Sequence, residues 1–512
     1  MAKASQKNGL FGAGASRICA VAAARTAVEM ARFVRMGLRE TSTIELRLDW
    51  LRGDAEREQF LSWLRRNRPR RAMFLATCRR RAAGGKLAGS AQKELHWLKR
   101  AREAGCAWCD LEVETQRGLA RHSLRASGLP PRVLLSLHDF KRTPARIAIS
   151  KAAQVGIAGV KIAANARTIR DSIRLLHLTR RSKNIVPVPM GDLGLPARIL
   201  ALRQGSPLAY APVGEATAPG QVSLHDLKHL YRAHKLTAHT RVYGVIGDPI
   251  GHSLSPLLHN TGFIARRIDA VYLPFLVRDL RGFLNAIPDF GLHGFSVTIP
   301  HKQAILRYLD ECEPLAAEIG AVNTVIVRRN GSLFGCNTDY VGVLRALEKR
   351  MTLQGSRVLI FGAGGSARAA AFALARAGTT VAICARRAKA ARELAAAVGG
   401  EAISRRALRT HRLDAILNTT PIGMHPHAGA SPLRSSELNC NLVMDLIYRP
   451  EKTKLLRIAE HKGIATVSGV EMFLAQGFAQ WEIWMGWPAP ETIMRRAVLR
   501  ALRAEEKSGP RH

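Results

Sequence analysis

Residues 357–387 read RVLIFGAGGSARAAAFALARAGTTVAICARR. The opening apolar run predicts a strand, and the alanine-rich run after the glycines predicts a helix. Between them, Gly362-x-Gly364-x-x-Ala367 has the spacing of a dinucleotide-binding turn, with alanine allowed at the last place. Glycine lets the backbone approach a pyrophosphate, which rests at the N-terminus of the following helix. Gly362, Ala363, Gly364, Gly365, Ser366 and Ala367 are therefore candidate cofactor residues. A second strand, TVAICAR from Thr380, supplies the context that a lone glycine motif lacks. After that strand, chains that bind NAD carry Asp or Glu for the ribose hydroxyls. This chain has Arg386 and Arg387 there, with Lys389 close by. Cationic forks suit a 2′-phosphate, so NADP is expected rather than NAD.

Upstream of this Rossmann unit the text from Val242, VYGVIGDPIGHSLSPLLHN, reads as a strand followed by a Gly/Pro-rich loop. GFSVTIPHK then ends at Lys302, and AVNTVIV and GCNTDYVG follow. Together they predict a mixed α/β domain with polar residues at strand ends. Ser223–Leu236, SLHDLKHLYRAHKL, reads as a polar helical bridge to what precedes it.

The first part of the chain carries eight apolar runs. They are ICAVAAA from Ile18, TIELRLD from Thr43, AMFLATC from Ala72, WCDLEVE from Trp108, RVLLSLH from Arg132, GVKIAA from Gly159, IVPVPMG from Ile185 and LAYAPV from Leu208. Segments of helical periodicity, such as REQFLSWLRRN, separate most of them. Eight alternating units predict a (β/α)8 barrel, and a span of about 225 residues sits at the compact end of that class. Such barrels carry their chemistry at the C-terminal ends of the strands. Arg79, His138 and Lys161 obey that rule. A lysine inside an apolar strand is either half of a structural ion pair or a reactive group.

The expected organisation is a barrel over 1–225, a linker over 226–240, a substrate domain over 241–345 completed by 472–512, and a Rossmann NADP-binding domain over 346–471.

Composition narrows the class. In 512 residues, 78 Lys and Arg against 39 Asp and Glu give a net charge of +39. The basic residues are spread along the whole chain, which argues for a solvated arginine-rich surface over a dedicated nucleic-acid site. Such a field still attracts small anionic ligands. Eight cysteines in a chain this long are not a disulfide framework. Cys106 and Cys109 have CxxC spacing but no second pair for zinc, so no metal is expected. Reduced thiols point to the cytoplasm. No apolar run reaches the roughly 20 residues of a membrane helix. The basic N-terminus followed by ICAVAAA reads as a first strand rather than a secretory signal. Oligomeric state is not readable.

The second half resembles shikimate dehydrogenase. HSLSPLLHN, GFSVTIPHK, AVNTV, CNTDYVG, LNTTPIGM, DLIYRP and GVEMFLAQGFAQ match its motifs in order. The resemblance implies that Ser253 and Ser255 bind the substrate carboxylate. It implies that Thr298, Asn323 and Gln476 bind ring hydroxyls or hold the catalytic pair. Lys302 and Asp339 would be that pair, and Thr419 and Gly469 would line the cofactor. Hydride transfer to a ketone leaves a developing alkoxide that a nearby ammonium can protonate. The family's Asn-Arg-Thr after the second strand is Ala385-Arg386-Arg387 here, so only the arginine is kept. Residue types alone leave quinate open as the substrate.

The barrel resembles type I 3-dehydroquinate dehydratase. ELRLD at Glu45, TCRRRAAGG around Arg79, SLHDFKRTP around His138, GVKIAA around Lys161 and ATAPGQ near Gln221 match its segments. The resemblance implies a Schiff base on Lys161 and general acid–base work by His138. It also implies a carboxylate-binding fork at Arg198, and contacts to hydroxyls from Glu45, Arg47, Arg79 and Gln221. Burial is expected to lower the Lys161 pKa and free its amine. In the closing loop Thr217 replaces the usual serine. The glutamate that usually precedes the Gly-Gly pair and assists the histidine is Ala83, followed by Gly84 and Gly85. Glu112 on a neighbouring strand is the candidate substitute. The two halves together imply a bifunctional enzyme of one pathway. The rival readings are an active dehydrogenase beside a decayed barrel, and a nucleic-acid-binding or scaffold protein.

Overall fold

In a computed structural model, residues 16–118, 128–144, 157–214, 221–424 and 427–508 are described. The eight apolar runs form eight strands: β1 Ile18–Ala22, β2 Thr43–Arg47, β3 Met73–Thr77, β4 Trp108–Glu112, β5 Arg132–Asp139, β6 Ile157–Asn165, β7 Ile185–Met190 and β8 Ala209–Pro212. Their order is β7-β6-β5-β4-β3-β2-β1-β8, and the pairs β1–β2 and β5–β6 typify its parallel ladder. This is the nearly closed sheet of the expected barrel. Among the intervening helices, those beginning at Ala27, Ala91 and Ile169 are capped by the side chains of Thr26, Ser90 and Thr168. The helix Ala27–Glu40 starts at Thr26, whose side chain accepts from Glu29 N, and it buries Ala27, Met30, Ala31, Val34 and Gly37 at helical spacing.

Side chains alternate along each strand, so every second residue enters the barrel. Cys19, Leu75, Trp108, Leu134, Val186 and Tyr210 pack there as one apolar cluster. Two residues further along, the same face turns polar at Thr77, Asp110 and Ser136, and two further again it carries Arg79, Glu112 and His138. The register aligns these positions: Arg47 lies beside Thr77, Thr77 beside Asp110, Glu112 beside Ser136, and Ser136 beside Lys161. An apolar floor therefore supports a charged layer at the C-terminal ends of the strands.

The stretch Ser223–Leu236 is not one regular helix. It forms a wide turn at Asp226–Leu230 and a short 3-10 turn at Ala233–Lys235. Between them Arg232 takes a left-handed backbone (φ 49°), which ends helical propagation.

The second sheet is mixed. Its strands are β9 Arg241–Gly247, β10 Ala270–Leu276, β11 Leu292–Val297, β12 Glu311–Cys312, β13 Thr324–Val327 and β14 Leu333–Cys336, in the order β10-β9-β11-β13-β14-β12. The third contains β15 Arg357–Phe361, β16 Thr380–Cys384, β17 Glu401–Ala402, β18 Leu413–Asn418, β19 Cys440–Asp445 and β20 Ala465–Val467. Its order β17-β16-β15-β18-β19-β20 is the doubly wound Rossmann arrangement, with parallel ladders on both sides of β15. Val358 and Ile360 enter one apolar cluster while Leu359 and Phe361 enter another, so β15 is buried on both faces. Each such side chain stabilises the sheet by roughly 1.5–3 kcal/mol.

Residue contacts divide the chain into two compact units, Met1–Arg241 with Leu273–Gly291, and Val242–Tyr272 with Leu292–His512. Among the described residues no helix is long and apolar enough to cross a membrane.

Candidate active sites

The charged layer of the barrel is built around Lys161, which is 5% exposed. Its Nζ donates to Asp110 Oδ2 at 2.7 Å and to Glu45 Oε1 at 3.3 Å, and sits 4.4 Å from the centre of the Tyr210 ring. Glu45 also accepts from Thr77 Oγ1 at 2.7 Å. Arg79 Nε donates to Glu112 Oε1 at 2.6 Å, with Asp110 Oδ2 at 3.7 Å from its Nη2. The second oxygen of Glu112 lies 3.0 Å from His138 Nδ1. Arg47 forms a two-point pair with Asp49 at 3.0 and 2.9 Å.

The expected amine state of Lys161 is overturned by these neighbours. Burial alone would lower its pKa, but the adjacent Asp110 and Glu45 carboxylates outweigh burial and hold it above the ordinary lysine value. Lys161 therefore rests as an ammonium. His138 moves the other way: burial and the nearby Arg79 charge lower its pKa, despite the opposing Glu112. The imidazole is neutral at neutral pH.

Arg198 does not join this cluster. It is buried on the helix Leu195–Arg203, where its Nε and Nη2 donate to the Pro189 carbonyl at 3.1 and 2.7 Å, and burial lowers its pKa to about 10. Gln221 is half-buried, and Thr217 lies outside the described residues. Ala83 lies in a short turn, Arg81–Ala83, and its methyl group offers His138 no carboxylate. Cys106 and Cys109 are buried free thiols, and burial pushes Cys106 to about 12. Asp110, Thr77 and Tyr210 escaped the sequence reading. Their signal was the alternation of ionisable and apolar residues in WCDLEVE and its neighbours.

In the second half, Lys302 follows β11 and Asp339 opens the helix Asp339–Glu348, where the helix dipole favours a carboxylate. Lys302 Nζ reaches Asp339 Oδ2 at 2.5 Å. Asn323 Nδ2 donates to Asp339 Oδ1 at 2.8 Å and to Thr338 Oγ1 at 3.0 Å. The Lys302 carbonyl accepts from Val322 N at 2.8 Å, which ties the lysine segment to the asparagine segment. Ser253 Oγ accepts from Ser255 N at 3.3 Å in the loop after β9. Thr298 follows β11, with its backbone N donating to the Ile246 carbonyl. Gln476 does not hold the pair: its Nε2 donates to Phe473 O on its own helix at 2.8 Å. Gln480, one turn on, was missed by the sequence reading. Its amide reaches Ser296, Thr324 and the Asn323 carbonyl.

The glycine turn fits a pyrophosphate. Gly362 has φ 129°, and a Cβ there would meet Thr419 Oγ1 at 2.3 Å, while a Cβ at Gly364 would meet nothing within 4 Å. The Thr419 hydroxyl donates to the Phe361 carbonyl at 2.9 Å, so it braces the turn. Ala363, Gly365 and Ser366 are half-buried beside it, and Ala367 is buried. Gly469 lets its helix start directly on the backbone after β19, since a Cβ would lie 2.5 Å from Ile447 and Leu446 backbone atoms. Arg386, Arg387 and Lys389 are exposed past the end of β16. Among the described residues, no His, Cys, Asp and Glu group could hold a metal ion.

Comparison with known proteins follows the same division. The family described as type I 3-dehydroquinase matches residues 18–237. The shikimate dehydrogenase substrate binding domain matches 245–325, and the shikimate 5′-dehydrogenase C-terminal domain matches 469–499. A shikimate dehydrogenase (NADP(+)) of Methanothermobacter thermautotrophicus is 42% identical over 282 residues, covering 52% of this chain and 99% of that protein. A crystal structure of the Thermus thermophilus shikimate 5-dehydrogenase with NADP(H) and shikimate is 34% identical, covers 51% of this chain and 99% of that one, and has a TM-score of 0.48. The chloroplastic bifunctional 3-dehydroquinate dehydratase/shikimate dehydrogenase of Arabidopsis thaliana is 35% identical over 479 residues, covering 88% of this chain and 78% of that protein. With both halves matched in one relative, this chain belongs to the family of bifunctional 3-dehydroquinate dehydratase/shikimate dehydrogenases.

Proposed function

We propose that residues 1–225 dehydrate 3-dehydroquinate to 3-dehydroshikimate, and that 241–345 with 472–512, together with the NADP-binding part 346–471, reduce that product to shikimate. The segment 226–240 links them. The observation that carries this reading is a pair of lysine–carboxylate sites on two different folds: buried Lys161 between Asp110 and Glu45, and half-buried Lys302 on Asp339.

In the barrel, the Lys161 ammonium must first surrender a proton, and its amine then adds to the substrate ketone. Loss of water gives an iminium, which draws electrons from the neighbouring C–H bond. Neutral His138, held through Nδ1 by Glu112, presents Nε2 to take that proton. The resulting imidazolium protonates the departing hydroxyl, so water leaves. Hydrolysis of the iminium returns Lys161 and releases product. Glu45, Arg47, Arg79 and Gln221 bind the hydroxyls. Thr217 supplies a further substrate-binding hydroxyl, and Arg198 receives the carboxylate once its guanidinium turns from the Pro189 carbonyl.

In the second half, Ser253 and Ser255 bind the substrate carboxylate, and Thr298, Asn323 and Gln476 bind the ring hydroxyls. Gly362 to Ala367, Thr419 and Gly469 hold the cofactor, while Arg386, Arg387 and Lys389 face its 2′-phosphate. Bound NADPH supplies the hydride. The Lys302 ammonium, fixed by Asp339, gives its proton to the oxygen that gains charge. Eight free thiols suit a reducing compartment, and we assign the chain to the cytoplasm.

One cuvette tests both halves. Pure protein with 3-dehydroquinate and NADPH should consume NADPH. Lys161→Ala should abolish that loss, and added 3-dehydroshikimate should restore it. Borohydride trapping should label Lys161, and a label elsewhere would remove it from the mechanism.

A further inference from the structure

Where β18 and β19 end, a buried carboxyl group joins two loops through side chains that the chemistry above does not use. Asn418 closes β18, Asp445 closes β19, and the two are register partners in the parallel ladder. Both are buried, as is Thr453 in the loop after β19. Asn418 Nδ2 donates to Asp445 Oδ1 at 2.9 Å, and Ile447 N donates to the same oxygen at 3.1 Å. Thr453 Oγ1 donates to Oδ2 at 2.7 Å. These partners are all neutral, and burial raises the carboxyl pKa to about 6. Burying a carboxylate among neutral partners costs stability, which singles Asp445 out.

Its two oxygens serve different parts of the fold. Thr420 N and Thr420 Oγ1 both donate to Asn418 Oδ1, at 3.0 and 2.7 Å. A backbone N–H only donates, so the Asn418 oxygen faces Thr420 and its NH2 faces Asp445. Thr420 in turn lies on the glycine turn: a Cβ on Gly362 would meet its methyl carbon at 3.3 Å. Ile447, the other partner of Oδ1, supplies backbone on which Gly469 rests. Oδ1 therefore bears on both loops that line the cofactor site. Oδ2 meets a helix cap instead. Thr453 Oγ1 also accepts from Leu456 N at 3.3 Å and so starts the helix Lys454–His461.

We propose that Asp445 is a positioning residue for the half of the dinucleotide that lies beyond the pyrophosphate. The inference rests on the cofactor site assigned above. A doubly wound sheet binds a dinucleotide across the point where the strand order reverses, with one nucleotide half on each side. Here that point lies between β15 and β18. Arg386 and Arg387 follow β16 and mark that side for the half that bears the 2′-phosphate. The loops after β18 and β19 are left to the nicotinamide half, and Oδ1 of Asp445 holds both. Asp445 itself is buried beneath those loops and acts through Asn418, Thr420 and Ile447.

NADPH is titrated without substrate by its fluorescence. Adenosine 2′,5′-bisphosphate, which lacks the nicotinamide half, is titrated by calorimetry, and melting checks the fold. Asp445→Ala should weaken NADPH about tenfold, the worth of one hydrogen bond, and leave the bisphosphate within about twofold. Asp445→Asn keeps an oxygen for Asn418 and Ile447 and presents its NH2 to Thr453, so it should hold NADPH within about twofold of the natural protein. Thr453→Val loses the Oδ2 bond and the helix cap, so its melting should fall while NADPH binding stays. A bisphosphate weakened as much as NADPH in Asp445→Ala overturns the proposal, because it reports a loosened domain. So does natural NADPH affinity in Asp445→Ala. So does NADPH held as weakly by Asp445→Asn or Thr453→Val as by Asp445→Ala. Should Asp445→Ala not fold, Thr420→Val in the half-buried loop takes its place: weaker NADPH with an unchanged bisphosphate supports the proposal, and any other result overturns it. A natural protein that binds no NADPH would remove the cofactor site and this inference with it, whereas NADPH binding that Asp445→Ala leaves intact removes the inference alone.

Discussion

Glu112 stands between the catalytic candidate His138 and the substrate-binding candidate Arg79, its Oε2 3.0 Å from His138 Nδ1 and its Oε1 2.6 Å from Arg79 Nε. That carboxylate, from β4, holds the imidazole that a glutamate at position 83 would otherwise hold. In the proposed mechanism the contact would fix which ring nitrogen faces the substrate and stabilise the imidazolium formed on proton abstraction. Glu112→Gln keeps the shape and removes the charge. It is expected to lower the dehydratase kcat by about 10²-fold, the lower end of what a positioned acid–base group contributes. The dehydrogenase rate should be untouched. A natural dehydratase rate in this variant would take Glu112 out of the mechanism.

Asp110 sets the resting charge of Lys161. Its carboxylate and that of Glu45 raise the lysine pKa against the effect of burial, so the amine is scarce at neutral pH. Asp110→Asn removes the nearer charge and should lower that pKa. The acid limb of borohydride trapping should then move to lower pH. An unmoved limb would mean that Asp110 does not control the amine. Breaking a buried pair also destabilises by roughly 3–5 kcal/mol, so the barrel's melting should fall.

These two cases show what the amino-acid text reveals and what it hides. The barrel strands were readable because each is a short apolar run between helical segments, and Lys161 was readable because a cation interrupts one of them. The direction of its pKa was not, because the deciding partners lie 51 and 116 residues away and meet it only through strand register. The same holds for Gln480, whose partners Thr324 and Ser296 are 156 and 184 residues distant. The motif GVEMFLAQGFAQ directed attention to Gln476, which turns back onto its own helix. Ser223–Leu236 read as a helix by composition, but the left-handed backbone at Arg232 leaves no trace in periodicity.

Arg386 and Arg387 stand exposed where a ribose-binding carboxylate is absent. Two guanidinium groups facing a dianionic phosphate should favour NADPH over NADH. Arg386→Ala is expected to raise the KM for NADPH about tenfold, equivalent to about 1.4 kcal/mol, with little change for NADH. Adding Arg387→Ala should raise it further. Equal effects on both cofactors would show that these arginines do not read the phosphate.

His259 is buried against Tyr272, with ring centres 4.5 Å apart, and burial lowers its pKa to about 3. In the unfolded chain a histidine titrates near 6.5. Between those values the unfolded state holds the extra proton, so stability rises with pH across this window. The contribution is fully present above about pH 6.5 and is lost as pH falls towards 3, on the order of 5 kcal/mol in all. His259→Phe keeps an aromatic ring beside Tyr272 and removes the titrating group. From about pH 7 to about pH 4, the dehydrogenase part of this variant should therefore lose less stability than the natural protein, measured as the shift in its denaturant midpoint. Its stability near pH 7 should change by only about 1 kcal/mol, the worth of the lost bond to Gln480. Identical acid slopes in the two proteins would mean that His259 keeps an ordinary pKa in the fold.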